Sequence, residues 1–317
     1  MTARMRIAIV YAKESAARKW RDAVAAALPE AQVDIWQPGY DEAVDYAIGW
    51  WPPAEFFASQ PQLRAFFSTG AGVEHVIHNP AVSDDLPVIR VEDAGMGQLM
   101  VDYCRCEVLR WLQQRDQYAA QQAEHVWEPH TAFDRSEWPI GVFGLGVLGR
   151  HVAAAFAADG FIVNAYSRSA AHDEPNVRLF SAAKGADQFV AFMNATRVLV
   201  ILAPLTPDTQ DKFDHKALQS LRPSSYVINV ARGGLLVDDA VLALLDSGQL
   251  AGAALDVFRE EPLPRQHRYW THPKVRITPH VAATTPVGPA TAQITEKIRR
   301  LVRGERVSGV VERKRGY

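Results

Sequence analysis

Arg232, Glu261 and His280 lie in three polar segments of the second half of the chain, and each segment follows an apolar, strand-like run. Because open α/β sheets bind ligands at the carboxyl ends of their strands, the three side chains could converge on one cleft. An arginine fork can hold a carboxylate and a neighbouring carbonyl oxygen, and a histidine can deliver a proton near neutral pH. The set therefore suits acid–base chemistry on a small acid that carries a carbonyl group.

Taken singly, each of these residues has a simpler explanation. A histidine after Pro279 is often a loop residue, an arginine before two glycines often pairs at the surface, and Glu261 could be an exposed acid like its neighbour Glu260. A single residue of a suitable type is weak evidence for a catalytic role. The combination, and no single member, favours a catalytic site.

A glycine-rich turn lies between an apolar run and an Ala-rich helical stretch. Gly144, Gly146 and Gly149 have the G-x-G-x-x-G spacing, in which the first permits a tight turn, the second lets a pyrophosphate approach and the third packs helix on strand. The phosphates would lie at a helix N-terminus, where N–H groups and the helix dipole favour anions. The spacing alone also fits a structural turn, but the flanking strand and helix favour a dinucleotide site. The predicted contacts include the other residues of the turn, Leu145, Val147 and Leu148.

The position that selects between the two nicotinamide cofactors carries no acid. An NAD site usually has Asp or Glu about 20 residues beyond the glycines. Here that place holds Ser167, followed by Arg168 and Ser169, and a guanidinium beside hydroxyls suits a 2′-phosphate. NADPH is therefore the predicted cofactor, with NADH possible at lower preference; the alternative is that Arg168 stacks on adenine or lies in solvent.

Apolar runs of strand length alternate with amphipathic, helix-like segments, which is typical of α/β folds on parallel sheets. Two series of strands can be separated. The first comprises residues 7–11, 33–36, 46–51, 65–68 and 88–91. The second comprises residues 140–143, 161–166, 198–202, 226–230, 252–256 and 275–278.

The sequence thus predicts an α/β fold of two doubly wound parallel-sheet domains around a cleft, a Rossmann-like cofactor domain inserted in a flavodoxin-like substrate domain. The substrate domain is expected at residues 1–98 and 284–317, and the dinucleotide-binding domain at 99–283. A polar helical stretch at 98–124 would cross between them, and an amphipathic helix at 290–303 would return to the first.

The composition restricts the class of ligand. Thirty-four Lys and Arg residues against 36 acids give a net charge of −2, so no global field attracts nucleic acid or an anionic membrane. Cys104 and Cys106 form no disulfide framework, and no export signal or apolar run of about 18 residues is visible. A cytoplasmic protein is expected. The His and Cys residues lack ligand spacing, so no metal site is predicted.

The chain closely resembles the D-isomer-specific 2-hydroxyacid dehydrogenases of the glyoxylate/hydroxypyruvate reductase A type over essentially its whole length. Many motifs occur in the family's order, which is far more specific than any one of them. The motifs are residues 70–74, 92–96, 141–149, 231–233, 256–258, 261–264, 278–280 and 315–317.

The resemblance implies a role for each candidate residue. Arg232 would hold the substrate, His280 would be the general acid/base, and Glu261 would orient it. Ala71 and Gly72 would offer backbone N–H groups to the substrate carboxylate. Further cofactor contacts are predicted at Ala203, Pro204, Val230, Ala231 and Asp256.

The implied reactions are glyoxylate to glycolate and hydroxypyruvate to D-glycerate. Trp51 is predicted to contact the substrate as a wall of a compact pocket, although it could equally belong to the core. A homodimer is also implied, with Trp127 either at the subunit contact or as a local packing anchor. The reductase A type usually has more basic residues after the second strand than the stretch at 170–173 offers here, which weakens the preference for NADPH.

Two rival functions remain open on the same fold. One is oxidation of another small acid such as formate or phosphite; the Glu261–His280 pair argues against formate, because formate-oxidising relatives replace that acid by an amide. The other is a nucleotide-sensing protein like the corepressors that retain this fold. No added interaction tail favours it.

Overall fold

A computed structural model describes residues 4–169 and 175–313, and these residues form two compact units. The first unit contains the described residues up to Met96 and from Thr284 onward, and the second runs from Gly97 to Ala283. The stretch at 170–173 that bears on the choice of cofactor and the family motif at 315–317 lie outside the described residues.

Within these residues the strands and helices alternate along the chain. The strands are β1 (Arg6–Val10), β2 (Gln32–Ile35), β3 (Tyr46–Gly49), β4 (Ala65–Ser68), β5 (Val88–Arg90), β6 (Ile140–Phe143), β7 (Val163–Ser167), β8 (Val177–Ser181), β9 (Val198–Ile201), β10 (Ser225–Asn229), β11 (Leu250–Leu255) and β12 (Val275–Ile277). The helices are α1 (Glu14–Ala27), α2 (Ala54–Ser59), α3 (Glu74–Ile77), α4 (Met96–Leu112), α5 (Arg115–Ala123), α6 (Val147–Ala158), α7 (Asp187–Asn194), α8 (His215–Gln219), α9 (Asp238–Ser247) and α10 (Val287–Val302).

The first unit is built on a five-stranded sheet in the order β2-β1-β3-β4-β5, with every pairing parallel. This is the flavodoxin-like order, whose direction reverses between β1 and β3. Helix α10 packs on α1 in this unit, and the Arg299 guanidinium donates to the Ala27 carbonyl at 2.7 Å. Helix α10 therefore completes the first unit, although it lies far along the chain from α1.

The second unit is built on a seven-stranded parallel sheet in the order β12-β11-β10-β9-β6-β7-β8. Counted from β6, this is the Rossmann order 3-2-1-4-5-6 with one further strand, and the order reverses between β6 and β9. The predicted fold class of two doubly wound parallel sheets is confirmed.

Strand β9 shows how the sheet of the second unit is buried on both faces. Val198 and Val200 pack into one apolar cluster with α4 and α6, whereas Leu199 and Ile201 pack into another with α7 and α9. Successive side chains of a strand point to opposite faces, so an unbroken apolar run is what a doubly covered parallel strand requires.

Two elements differ from the sequence prediction. The predicted strand series omits β8, whose first three residues are partly or fully exposed at the edge of the sheet. The predicted helical stretch 98–124 is divided into α4 and α5, because Gln114 adopts a left-handed backbone with φ +52°. Asp116 then accepts hydrogen bonds from Arg110 at 2.8 Å and Arg276 at 2.6 Å, which holds α5 in its new direction.

The described residues contain neither a helix suited to span a membrane nor a side-chain cluster suited to hold a metal ion. No helix in that part of the chain is both long and apolar enough to cross a membrane. Nor do three or more of its His, Cys, Asp and Glu side chains gather where they could hold a metal ion.

Candidate active site

The glycine-rich turn joins β6 to α6 at the point where the strand order reverses. Gly144 has φ +107°, and a Cβ on it would lie 2.5 Å from the Ala203 backbone nitrogen. A Cβ on Gly149 would overlap the Gly144 carbonyl oxygen. Both positions therefore require glycine for the turn itself.

The middle glycine of the turn has a different environment. Gly146 is exposed, precedes the first residue of α6, and has no atom within 4 Å of the place where a Cβ would stand. The first N–H groups of a helix have no partner within the helix and attract anions. Protein packing thus leaves Gly146 open where a pyrophosphate would approach. Leu145 is buried beneath the turn, while Val147 is exposed and Leu148 partly so.

Ser167 ends β7, and Arg168 and Ser169 follow it. The end of this strand lies beside the turn, since the Gly144 N–H donates to the Tyr166 carbonyl at 2.9 Å. The Ser167 hydroxyl donates to the Ser169 carbonyl, and the Ser181 hydroxyl donates to the Arg168 carbonyl at 3.4 Å. These bonds fix the backbone, while the Arg168 and Ser169 side chains are exposed. Ala203 and Pro204 follow β9 on the other side of the turn.

Arg232 is presented by a loop that a buried amide holds. Asn229, the last residue of β10, is fully buried; its amide donates to the Arg232 carbonyl at 2.9 Å and its oxygen accepts the Ala231 N–H at 3.1 Å. Val230 and Ala231 are buried, whereas Arg232 is partly exposed. Asn229 was not among the predicted site residues; the signal available was an amide at the end of a buried strand.

A second glycine contact brings the Arg232 loop against the loop that follows β11. A Cβ on Gly233 would overlap the backbone between Phe258 and Arg259, so no larger residue fits. Glu261 lies in that second loop, and Arg232 is near enough for its charge to lower the pKa of the Glu261 carboxyl. The close approach at Gly233 thus brings together the loops of two of the three predicted catalytic residues.

Glu261 and His280 form a direct pair. The Glu261 Oε2 atom lies 2.8 Å from His280 Nδ1, and its Oε1 atom accepts the Phe258 N–H at 2.9 Å. Partial burial by itself would raise the pKa of the Glu261 carboxyl. The hydrogen bonds from His280 and Phe258, with the charges of His280 and Arg232, outweigh burial and hold that pKa below its usual value. The carboxylate is therefore ionised at neutral pH.

The His280 loop is held by a buried carboxylate. Asp256 is 1% exposed, and its two oxygens accept N–H groups from Val281 and Ala282, each at 2.9 Å. The Asp256 carbonyl accepts the His280 N–H at 2.8 Å, and the His280 backbone is left-handed with φ +54°. These contacts give Asp256 a part in positioning His280, while its predicted contact with a cofactor stays a prediction.

The first unit carries the remaining candidates at the carboxyl ends of neighbouring strands. Ala71 and Gly72 follow β4, and Trp51 follows β3 with a left-handed backbone, φ +52°, and a side chain 65% exposed. The Trp51 indole stacks on the His75 ring with centroids 4.8 Å apart. An exposed tryptophan in a left-handed conformation is not a core residue, and His75 had no recognised role in the sequence.

The second unit has a Rossmann-type sheet with a glycine turn at its switch point. It also has a carboxylate–histidine pair beside an arginine at the carboxyl edge of the sheet. Together these features are typical of dinucleotide-dependent oxidoreductases. Comparison with known proteins narrows this class. The family model described as the NAD binding domain of D-isomer specific 2-hydroxyacid dehydrogenases matches residues 106–282. The chain belongs to the D-isomer specific 2-hydroxyacid dehydrogenase family, so the resemblance seen in its motifs is confirmed.

Individual relatives cover nearly the whole chain. A protein named glyoxylate/hydroxypyruvate reductase A from Citrobacter koseri is 41% identical over 303 residues, which are 94% of this chain and 96% of that relative. An NADPH-dependent glyoxylate/hydroxypyruvate reductase from Sinorhizobium meliloti, solved with NADP and sulfate, has a TM-score of 0.92 at 33% identity, covering 99% of this chain and 100% of that one. A D-isomer specific 2-hydroxyacid dehydrogenase from Xanthobacter autotrophicus, solved with NADPH and MES, has a TM-score of 0.92 at 34% identity with the same coverage.

Proposed function

We propose that this protein is an NADPH-dependent reductase of short 2-keto acids, which converts glyoxylate to glycolate and hydroxypyruvate to D-glycerate. The observation that carries the proposal is the 2.8 Å contact between Glu261 and His280, with Arg232 close enough to act on the same carboxylate. Relatives of this family that are named for these substrates support the choice of acid.

His280 is the proposed general acid. Its Nδ1 atom is engaged by Glu261, so Nε2 is the nitrogen that can donate a proton to the carbonyl oxygen of the substrate. Glu261 fixes the orientation of the ring, because one of its oxygens is itself held by the Phe258 N–H. Positioned proton transfer of this kind contributes about 10² to 10⁴ in rate.

Arg232 is the proposed substrate anchor. Its planar guanidinium can bond the substrate carboxylate and the reacting carbonyl oxygen together, a geometry that lysine cannot supply. We propose that the backbone N–H groups of Ala71 and Gly72 bind the same carboxylate, and that Trp51 limits the length of the substrate. The exposed, His75-stacked indole supports this last role.

NADPH, when bound, supplies the hydride. The residues present fit a dinucleotide, because Gly144 and Gly149 are required by the turn while Gly146 is left open. The exposed guanidinium of Arg168, between two serines, supports recognition of a 2′-phosphate. Relatives solved with NADP and with NADPH support the same cofactor.

We further propose that the protein is a homodimer with Trp127 at the contact between subunits. The Trp127 side chain is 100% exposed, and the preceding helix α5 buries none of its residues. A large exposed aromatic beside an unburied helix is typical of an interaction surface. Sedimentation of the wild type and of Trp127→Ser tests this: a dimer that the substitution weakens is expected, and a monomeric wild type would contradict it.

The activity is tested by the loss of reduced-nicotinamide absorbance with purified protein. Glyoxylate and hydroxypyruvate should be turned over faster than the bulkier pyruvate, and faster with NADPH than with NADH. His280→Ala should lose at least about 100-fold in turnover, as expected for a positioned general acid. Tight binding of NADPH without turnover of any 2-keto acid would overturn the proposal and favour a nucleotide-sensing protein.

A further inference from the structure

The hydroxyl of Tyr103 reaches the loop that carries His280. Tyr103 lies in α4, the first helix of the second unit, and its oxygen is 2.7 Å from the hydroxyl oxygen of Thr278. The two residues are 175 positions apart in the chain. This bond therefore joins the start of the second unit to the last loop of that unit.

Counting hydrogens fixes the direction of the bond. The Thr278 hydroxyl has one hydrogen to donate. Its oxygen lies 2.6 Å from Asp256 Oδ1, which belongs to a carboxylate and can only accept. Thr278 therefore donates to Asp256, and Tyr103 donates to Thr278. Burial raises the pKa of the Tyr103 phenol well above its usual range, so the phenol keeps its proton at neutral pH.

This chain of bonds ends on both sides of His280. Asp256 also accepts the N–H groups of Val281 and Ala282, so the residues flanking His280 on both sides are attached to one buried carboxylate. His280 itself has a left-handed backbone, which its surroundings must hold in place. A change in the position of this carboxylate or of Thr278 moves the backbone from which the imidazole projects.

We infer that Tyr103 is a positioning residue for His280, acting through Thr278 and Asp256 to hold the imidazole where it can deliver its proton. The inference rests on the proposed function for its kinetic consequence. Its structural consequence does not: removal of the Tyr103 hydroxyl should change the environment of the His280 ring whether or not a substrate has been found. Tyr103 need not touch substrate or cofactor in this role.

The kinetic test is Tyr103→Phe, which keeps the ring and removes only the hydroxyl. Loss of one hydrogen bond that orients a catalytic group predicts a fall in kcat of about 3- to 10-fold, with the KM values for glyoxylate and NADPH within about twofold of wild type. In a His280→Asn background the same substitution should leave the residual rate unchanged, because there is no imidazole to orient. Thr278→Val should reproduce the loss, and Thr278→Ser should restore most of it.

Tyr118→Phe is the matched control, since the Tyr118 hydroxyl accepts the His130 N–H at 2.9 Å in the same unit and takes no part in the bonds that join Tyr103, Thr278 and Asp256. It should leave kcat unchanged. Equal losses from Tyr103→Phe in the wild-type and His280→Asn backgrounds, or no loss in an active wild type, would overturn the inference.

A second readout is independent of turnover. In ¹⁵N-histidine-labelled protein, the ring resonances of His280 are identified by their absence from His280→Asn. Tyr103→Phe and Thr278→Val should shift them, and Tyr118→Phe should not. An inactive wild type would defeat the proposed function alone, whereas unshifted His280 resonances would defeat this inference even in an active enzyme.

Discussion

The Nδ1 atom of His280 lies 2.8 Å from the Oε2 atom of Glu261. The bond sets which ring nitrogen is left to face a substrate. The backbone supports both partners, through the Phe258 N–H on Glu261 and the Asp256 carbonyl on His280. This pair therefore depends on loops that follow two neighbouring strands, and its chemistry is a consequence of the strand order.

The first prediction concerns the pH dependence of stability. The pKa of Glu261 is below its usual value in the folded chain, so its ionised form stabilises the fold above the unfolded pKa. That contribution is lost as the pH falls through the folded pKa. The urea midpoint of Glu261→Gln should therefore lie below that of wild type near pH 7, and the gap should narrow as the pH falls below the usual glutamate range.

Glu260→Gln is the control for this measurement, because it removes the adjacent acid and leaves the pair with His280 intact. Its midpoint should follow that of wild type across the titration. A gap between wild type and Glu261→Gln that stays constant down to about pH 3 would contradict the prediction, since an ordinary glutamate is protonated there.

A second prediction concerns Arg232. Arg232→Ala should lower kcat/KM for glyoxylate by about 10- to 150-fold, the range expected for loss of a charge-assisted hydrogen bond. Binding of NADPH should change little, and Arg232→Lys should recover little because lysine lacks the planar fork. Steady-state kinetics with a fluorescence titration of NADPH separates the two effects. Arg265→Ala, which removes an exposed guanidinium nearby in the chain, should behave as wild type; retention of full kcat/KM in Arg232→Ala would remove Arg232 from the mechanism.

The buried strands were the part of the fold that the sequence predicted most accurately. Strands β4 and β6 begin and end where the apolar runs predict, because a doubly covered strand tolerates few polar residues. Strand β8 was missed because an edge strand with Arg178 as its second residue lacks that signal. The break at Gln114 was missed because a left-handed glutamine has no local signature.

Some residues of the candidate site were likewise predicted from the sequence, and others were not. Glu261 and His280 were selected by type, by their place after strands and by the family resemblance, and the structure brings them into contact. Tyr103 and Asn229 were not selected, because their roles depend on partners that only the folded chain brings close. His75 was not among the predicted site residues, and its stacking on Trp51 is likewise a tertiary contact.

A third prediction concerns cofactor selection. Arg168→Ala should raise the KM for NADPH about 10-fold or more and leave the KM for NADH within about twofold, because only NADPH carries the 2′-phosphate. Arg178→Ala is the control: it removes an exposed guanidinium from the neighbouring strand β8, where Arg178 lies over the Phe180 ring at 4.7 Å. Equal losses with NADPH and NADH in Arg168→Ala would indicate stacking on adenine in place of phosphate recognition.

The last prediction separates the two uses of glycine in the cofactor turn. Gly149→Ala places a Cβ on the Gly144 carbonyl oxygen, so the variant should lose thermal stability and cofactor binding together. Gly146→Ala meets no protein atom within 4 Å, so its melting temperature should stay within a few degrees of wild type while its Kd for NADPH rises about 10-fold or more, because the methyl group occupies the approach of the pyrophosphate. Gly288→Ala in α10 also meets nothing within 4 Å and should change neither quantity. Normal NADPH affinity in a stable Gly146→Ala would mean that the pyrophosphate does not approach the turn at this glycine, and the N-terminus of α6 would then no longer be the proposed anion site.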